Sequence, residues 1–322
     1  MSKSEVVALD VFDPKGLEYM RTLFPGVIEP GHPDHDSWLD HAVGLFVAKS
    51  RVTADLIHRS KKLKFIVRHG AGYDNIDAAA CAEKGVVLCN IPGVNAISVA
   101  EVTLALTVAC AKNLVLIATQ MRQGETPNKR VKSLYSASIL TGKTFGIIGG
   151  GRIGQLVAKK FIGAFEGKII LYDPYISVDS PGPWASIPHV RAKSLAEVLP
   201  MVDVLSLHVP LNPATKDMIN LPLLKSMKPT SILVNCSRGG VVNEEDLWTS
   251  LKEGIIASAG VDVWVHEPPT REFYGDIFDL ENLVISPHIG GSPAEVQTAT
   301  CISMCDHMKE MLDGKPPRDR VA

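Results

Sequence analysis

Apolar and polar positions along this chain come in blocks rather than in simple alternation. Short apolar runs at 6–9, 43–47, 65–67 and 86–89 are separated by longer polar, helix-compatible stretches, and the rhythm returns at 144–148, 168–172, 202–207, 231–235 and 256–263. Uninterrupted, β-prone runs of this kind suit strands buried on both faces, so each half predicts an open parallel sheet covered by helices. Between the halves, the chain from Ser98 to about Met121 contains neither glycine nor proline. It predicts one long helix, opened by the capping pair Ser98 and Glu101. Val99, Val102, Leu104, Leu106, Val108, Leu114 and Ile117 are too many for one narrow stripe, which implies burial on several sides or contact with a second subunit. Two more capping patterns, Ser194 with Glu197 and Ser292-Pro293 with Glu295, predict helix starts. The second helix should run to about Leu312, with proline at its first position.

The most informative stretch is TFGIIGGGRIGQLVAKKFIGAFEGKIILYD, from Thr144 to Asp173. An apolar strand meets Gly149, Gly151 and Gly154 in G-x-G-x-x-G spacing, a helix follows from Arg152, and a second strand ends at Asp173. Gly149 permits a tight turn, Gly151 lets a pyrophosphate approach the backbone, and Gly154 lets helix and sheet lie close. The helix N-terminus then faces the pyrophosphate with its positive dipole end. A carboxylate at Asp173 suits ribose hydroxyls and repels a 2′-phosphate, and Pro174, Tyr175 and Ile176 supply no arginine, so NAD is expected over NADP.

Composition narrows the partners. The 322 residues suffice for two domains, and a formal charge of −2 gives no basic footprint for nucleic acid. No apolar run is long enough for a membrane span and no signal-peptide core opens the chain, so a cytoplasmic protein is expected. The six cysteines form no C-x-x-C pair and are expected reduced in the core. Neither Cys301 with Cys305 nor the GHPDHD run around His32 and His35 brings enough ligands for a metal, and none is expected. A further glycine loop, Gly70, Ala71 and Gly72 in RHGAGYDNID, could cradle a carboxylate with backbone N–H groups.

In a doubly wound sheet the ligand crevice lies beyond the carboxyl ends of the strands. Standing there are His208-Val209-Pro210, Cys236-Ser237-Arg238, Asp262-Val263 and, further on, Pro287-His288, with Glu267 in HEPP. A guanidinium can fork onto a carboxylate and carbonyl oxygen, an imidazolium can deliver a proton, and a carboxylate can orient the imidazole while raising its pKa.

With these residues in place the chain resembles the D-isomer-specific 2-hydroxyacid dehydrogenases over nearly its whole length. The matching stretches are RHGAGYDNID, NIPGVNAISVAE, GIIGGGRIG with YDP, LSLHVPLNPAT, NCSRGGVVNEEDL, GVDVWVHEPP and SPHIGGSP. The resemblance implies two Rossmann-like α/β domains with a cleft between them: a discontinuous substrate domain at 1–97 and 291–322, and an NAD-binding domain at 98–290. It implies hydride transfer between a 2-keto acid and a D-2-hydroxy acid, with Arg238, Glu267 and His288 catalytic. It further implies cofactor contacts from Gly149, Gly151, Arg152, Ile153, Gly154, Asp173, His208, Val209, Pro210, Thr215, Cys236, Asp262, His288 and Gly290. Substrate contacts would come from Arg68, Gly70, Ala71, Gly72 and Tyr73, and the assembly would be a homodimer built on the long helix. Within the family the chain looks most like the phosphoglycerate dehydrogenase branch without a regulatory domain. The alternatives are 3-phosphoglycerate dehydrogenase proper, formate or phosphite oxidation, and an NADH-sensing corepressor-like protein.

Overall fold

The computed structural model describes residues 6–124, 137–177 and 182–322. The polar stretch of sequence at 122–138 therefore falls largely outside the described residues. In chain order the elements are β1 (Val6–Ala8), α1 (Pro14–Leu23), α2 (Trp38–His41), β2 (Gly44–Val47), α3 (Ala54–Arg59), β3 (Phe65–Arg68), α4 (Ala78–Lys84) and β4 (Val87–Cys89). Next come α5 (Ala96–Ala111), α6 (Leu114–Arg122), β5 (Thr144–Ile148), α7 (Arg152–Phe165), β6 (Lys168–Tyr172) and β7 (Val190–Arg191). The remainder comprises α8 (Leu195–Val198), β8 (Val204–Leu207), α9 (Leu221–Leu224), β9 (Ile232–Asn235), α10 (Glu244–Lys252), β10 (Ser258–Val261), α11 (Arg271–Tyr274), β11 (Leu283–Ile285) and α12 (Ala294–Leu312).

The chain forms two compact units, Met1–Ala96 with Gly291–Ala322, and Ile97–Gly290. In the first, β1 to β4 pair in parallel in sequence order. A parallel bridge between Val7 and Ile28 adds a position on the far side of β1, so the chain steps out on that side and returns to β2 on the other. That reversal is the doubly wound pattern. One apolar layer packs Met20 of α1 and Phe24 with Phe46, Val67, Met304 and Met308, and the other packs Leu45, Ile66 and Leu88 with Ile57 and Cys81. After α12 the chain runs back along β4: Arg320 bridges Cys89, and the N–H of Val321 donates to the Leu88 carbonyl at 2.8 Å.

The second unit orders its strands β11-β10-β9-β8-β5-β6-β7, all parallel. The chain winds outward through β6 and β7, returns to β8 beside β5, and continues to β11, so the switch point lies between β5 and β8. Both β5 and β8 are almost wholly buried, which explains their unbroken apolar sequence.

The long helix expected from Ser98 is different here. It begins earlier, at Ala96, which places Ser98 inside the helix, and Glu101 pairs with Lys160 at 3.3 Å rather than capping it. It also breaks: Asn113 adopts φ 49°, and α5 and α6 are bent by 67°. Asparagine is among the few side chains that enter the left-handed region at modest cost, so a bend needs neither glycine nor proline. The Ser292 box also fails in detail, since Pro293 is the N-cap of α12 and makes no side-chain cap bond. The Ser194 box holds: its Oγ accepts the Glu197 N–H at 3.3 Å. β7 and β11 were not expected; a two-residue strand and the three-residue LVI leave little pattern to read. All six cysteines are free and buried, as expected. Among the described residues no single helix is long and apolar enough to cross a membrane.

Candidate active site

The glycine turn caps β5 at the switch point. Gly149 has φ 96°, and a Cβ there would lie 2.4 Å from the His208 carbonyl oxygen, so conformation and the neighbouring strand both exclude a side chain. A Cβ on Gly154 would fall 2.3 Å from the Gly149 carbonyl oxygen, which shows how closely α7 sits on the turn. At Gly151, by contrast, a Cβ would meet nothing within 4 Å. The turn is thus packed against protein at two glycines and open at the third, in front of a fourteen-residue helix whose first-turn N–H groups have no carbonyl within the helix to bond. These features fit a dinucleotide pyrophosphate.

Asp173 follows β6 with its carboxylate oriented: one oxygen accepts the Gly150 N–H at 2.7 Å and the other the Tyr175 N–H at 2.8 Å. Arg191 of β7 lies nearby, but its guanidinium donates to the carbonyls of Asp173, Ile176 and Ser177. A 2′-phosphate would therefore meet a fixed negative group. Asp173→Ser is expected to weaken NADH binding about 10- to 100-fold, the worth of hydrogen bonds to a charged group, and to narrow the NADH-over-NADPH preference. Titrating both cofactors by fluorescence checks this, and a wild-type protein that binds NADPH more tightly would reject it.

Behind the turn stands Trp184, whose Nε1 donates to the Gly150 carbonyl at 2.6 Å. Residues 177–189 are a Pro/Gly/Ser-rich stretch of sequence, yet Trp184 within it is only 1% exposed. The available signal was a large aromatic residue inside a Pro/Gly/Ser-rich run, where nothing but burial explains it. Across the switch point, His208 Nε2 lies 3.0 Å from the Ser206 hydroxyl, while its buried Nδ1 has no hydrogen-bond partner. Burial drives its pKa down to about 3, so this imidazole is neutral. Val209 is half-buried beneath Gly149, Pro210 is exposed, and the Thr215 hydroxyl donates to the Pro210 carbonyl at 2.5 Å, closing that loop on itself. Cys236 is buried at the end of β9, and burial pushes its thiol up to about 12. Arg152 is exposed and Ile153 packs into the apolar layer under α7.

Arg238, Glu267 and His288 come together on the turns after β9, β10 and β11. Asn235 shapes the first turn: its Oδ1 accepts the Ser237 N–H at 3.1 Å and hydroxyl at 2.7 Å, and its Nδ2 donates to the Arg238 carbonyl at 3.0 Å. His288 Nδ1 lies 2.8 and 2.9 Å from the two Glu267 carboxylate oxygens. Burial raises the Glu267 pKa, but the His288 hydrogen bond and charge, the Trp264 N–H and the Arg238 charge outweigh it and hold the carboxyl below its ordinary value. The pair is therefore a carboxylate with an Nδ1–H donor, which directs Nε2 to any proton exchange with a ligand. The side chains are 40% and 37% exposed, open enough for a ligand to reach.

Asp262 does something sequence reading did not assign. Its buried carboxylate accepts from the Ser286 hydroxyl at 2.6 Å, the Ile289 N–H at 2.8 Å and the Gly290 N–H at 2.9 Å. These bonds reach both flanks of His288, which explains how that residue keeps a φ of 58°. Gly239 provides a second close fit. A Cβ there would fall 2.0 Å from the Trp264 carbonyl oxygen, locking the Arg238 turn against the one that carries Glu267. Gly239→Ala is expected to lower stability by about 1–3 kcal/mol, the usual cost of forced overpacking. Gly163→Ala, on an open helical surface, should instead be stabilising by about 0.5–1 kcal/mol. Thermal melts of the two variants should shift in opposite directions.

In the first unit, Gly70 (φ 98°), Ala71 and Gly72 follow β3. The Ile91 N–H donates to the Gly70 carbonyl at 2.9 Å and Asn90 Nδ2 to the Ala71 carbonyl at 2.6 Å, leaving the loop fixed. Arg68 donates to the His69 carbonyl, and Tyr73 is exposed. Asp10, which sequence reading passed over, accepts N–H bonds from Ala48 at 2.6 Å, Lys49 at 3.1 Å and Ser50 at 3.0 Å. Asn75 Nδ2 donates to the Ala48 and Ser50 carbonyls, so the loops after β1, β2 and β3 form one network.

A doubly wound unit with this turn and this charged trio is a dinucleotide-binding domain of oxidoreductase type. The comparisons agree: the family model for the D-isomer specific 2-hydroxyacid dehydrogenase, NAD binding domain, matches residues 104–290. The chain is 40% identical over 272 residues to the hydroxypyruvate reductase of Thermotoga maritima, covering 84% of this chain and 85% of that one. It is 39% identical over 266 residues to the D-3-phosphoglycerate dehydrogenase of Methanocaldococcus jannaschii, covering 83% of this chain. It spans about half the length of the phosphoglycerate dehydrogenases it matches, 49% in that instance. Among solved structures, a glyoxylate reductase from Paecilomyes thermophila superposes with a TM-score of 0.86 at 25% identity, covering 100% of this chain and 99% of that one. The chain belongs to the D-isomer specific 2-hydroxyacid dehydrogenase family and carries its NAD-binding domain.

Proposed function

We propose that the protein reduces a short 2-keto acid to the D-2-hydroxy acid, with Arg238, Glu267 and His288 as its catalytic residues. The observation that carries this reading is the bidentate contact of His288 Nδ1 with a Glu267 carboxyl held ionised beside Arg238. NADH, when bound, supplies the hydride. Arg238 anchors the substrate carboxylate and its carbonyl oxygen; the backbone of Gly70, Ala71 and Gly72 is proposed as a carboxylate-binding loop of the first unit. His288 delivers a proton from Nε2 to the carbonyl oxygen, and Glu267 steadies the imidazolium before transfer and the neutral tautomer after it. Ile97–Gly290 is the cofactor domain in this reading, and Met1–Ala96 with Gly291–Ala322 is the substrate domain.

Hydroxypyruvate and glyoxylate head the substrate list, because the relative matched over most of its own length is named a hydroxypyruvate reductase. A phosphorylated acid is the second reading, supported by the similarity to phosphoglycerate dehydrogenases and by Arg68 next to the Gly70 loop. Against it stands Val47, fully buried about where that branch tends to place an arginine. Loss of NADH absorbance over a panel of glyoxylate, hydroxypyruvate, phosphohydroxypyruvate and branched or aromatic keto acids tests both. Turnover of none of them, with tight NADH binding, would overturn the reductase reading. The protein is further proposed to be a homodimer through α5 and α6, where Ile97, Leu114, Val115 and Met121 are exposed apolar residues. Sedimentation at the mass of a monomer would overturn that.

A further inference from the structure

We propose that Glu244 and Tyr274 are positioning residues that hold the Glu267 turn in register with the Arg238 turn; the inference rests on the reductase reading above. Residues 264–267 leave β10 without regular structure, so each backbone N–H needs a partner from elsewhere. The Trp264 N–H donates to Glu267 itself at 3.1 Å. The Val265 N–H donates to Glu244 Oε1 at 2.7 Å, and the His266 N–H donates to the Tyr274 hydroxyl at 2.9 Å. That hydroxyl also donates to the His266 carbonyl at 3.4 Å, so two side chains, one from α10 and one from α11, hold two consecutive peptide groups of this turn.

Both side chains have rigid supports. Glu244, six residues beyond Arg238, is the first residue of α10, whose N-cap is Asn243. Tyr274 is buried among Trp264 and Phe278, at ring separations of 4.8 and 5.9 Å, with Trp248 edge-on at 6.5 Å. Burial raises the carboxyl of Glu244, while the Val265 N–H, Tyr274 and His266 oppose it. A cost of that kind for a group that could have sat in solvent at a helix N-terminus is accounted for by the bond it makes to Val265. Together with Gly239 against Trp264, this bond fixes how far the guanidinium stands from the carboxylate–imidazole pair. The positions of catalytic groups tolerate errors of well under 1 Å, so loosening this tie degrades geometry without removing any reacting group.

The test compares Glu244→Ala, Glu244→Gln and Tyr274→Phe by steady-state kinetics on the best keto acid of the panel, and by proton NMR of the His288 Nδ1–H, assigned through its loss in His288→Ala. Loss of supporting contacts typically lowers activity about 10- to 100-fold. Glu244→Ala should show that loss in kcat, with KM for NADH and keto acid within about threefold. Glu244→Gln keeps an oxygen for the Val265 N–H and should restore kcat to within about threefold of wild type. The His288 signal should be kept in Glu244→Gln and shifted or broadened in Glu244→Ala.

A capping role alone would lower the melting temperature and leave kcat and the signal unchanged, which would overturn the proposal; equal failure of Gln and Ala would also overturn it. Should Glu244→Ala not fold, Tyr274→Phe carries the test. A reduced kcat with a perturbed His288 signal supports the tie, and wild-type values for both overturn it. If the wild type reduces no keto acid, the reductase reading fails while the NMR arms still decide the tie.

Discussion

Replacement of His288 by alanine should lower kcat by about two to four orders of magnitude, the range expected for losing a general acid. NADH affinity should fall far less than kcat, because the packed glycine turn and Asp173 follow strands other than the one before His288. The variant also leaves Glu267 without the imidazole that holds its carboxyl low. A group whose pKa is lowered on folding adds stability above its unfolded value, about 4.3 for Glu, and loses it as pH falls through the folded value. His288→Ala should thus melt slightly lower than wild type at pH 7, by under about 1 kcal/mol for so exposed a pair, and the gap should close below about pH 4. Single-turnover kinetics separates the outcomes. A variant reacting at near-normal rate would remove His288 from the chemistry and leave its contact with Glu267 structural.

The second large effect is expected at Arg238. Lysine keeps the charge but presents a point ammonium in place of a planar fork, so it cannot hold carboxylate and carbonyl oxygen together. Two lost charge-assisted hydrogen bonds, at about 1.5–3 kcal/mol each, correspond to at least a hundredfold drop in kcat/KM. KM for the keto acid should rise and kcat should fall, because the same contact orients the ground state and stabilises developing charge on the oxygen. Arg238→Lys with wild-type kcat/KM would assign the carboxylate anchor elsewhere, with Arg68 the next candidate.

The strands flanking the switch point were legible because their sequence answers to one requirement, burial on both faces. The glycine motif was legible because its spacing is fixed by local physics: Gly149 and Gly154 exclude a side chain against neighbouring backbone, and Gly151 leaves the turn open in front of the helix. Arg238, Glu267 and His288 could be picked out singly as polar residues after apolar runs, but their meeting depends on strand order, which sequence spacing does not carry. Asn113 shows the opposite failure: nothing in a run free of glycine and proline signals a 67° bend, since the left-handed residue is an ordinary polar one. Asp10 and Asn235 escaped, and the bonds of Asp262 to the His288 turn were not foreseen, because a carboxylate or amide that organises a distant loop looks in sequence like any polar residue at a strand end.

Building one unit from both ends of the chain has a consequence for synthesis. During translation, residues 6–89 can pair their four strands, but the face bearing Phe46 and Val67 is closed by Met304 and Met308 of α12, which leave the ribosome about two hundred residues later. At about 5–20 residues per second, that apolar layer waits some tens of seconds while the intervening unit, contiguous in sequence, folds by itself. The nascent chain is therefore most prone to aggregate between completion of β4 and arrival of the last helix, and holdase chaperones would act in that interval.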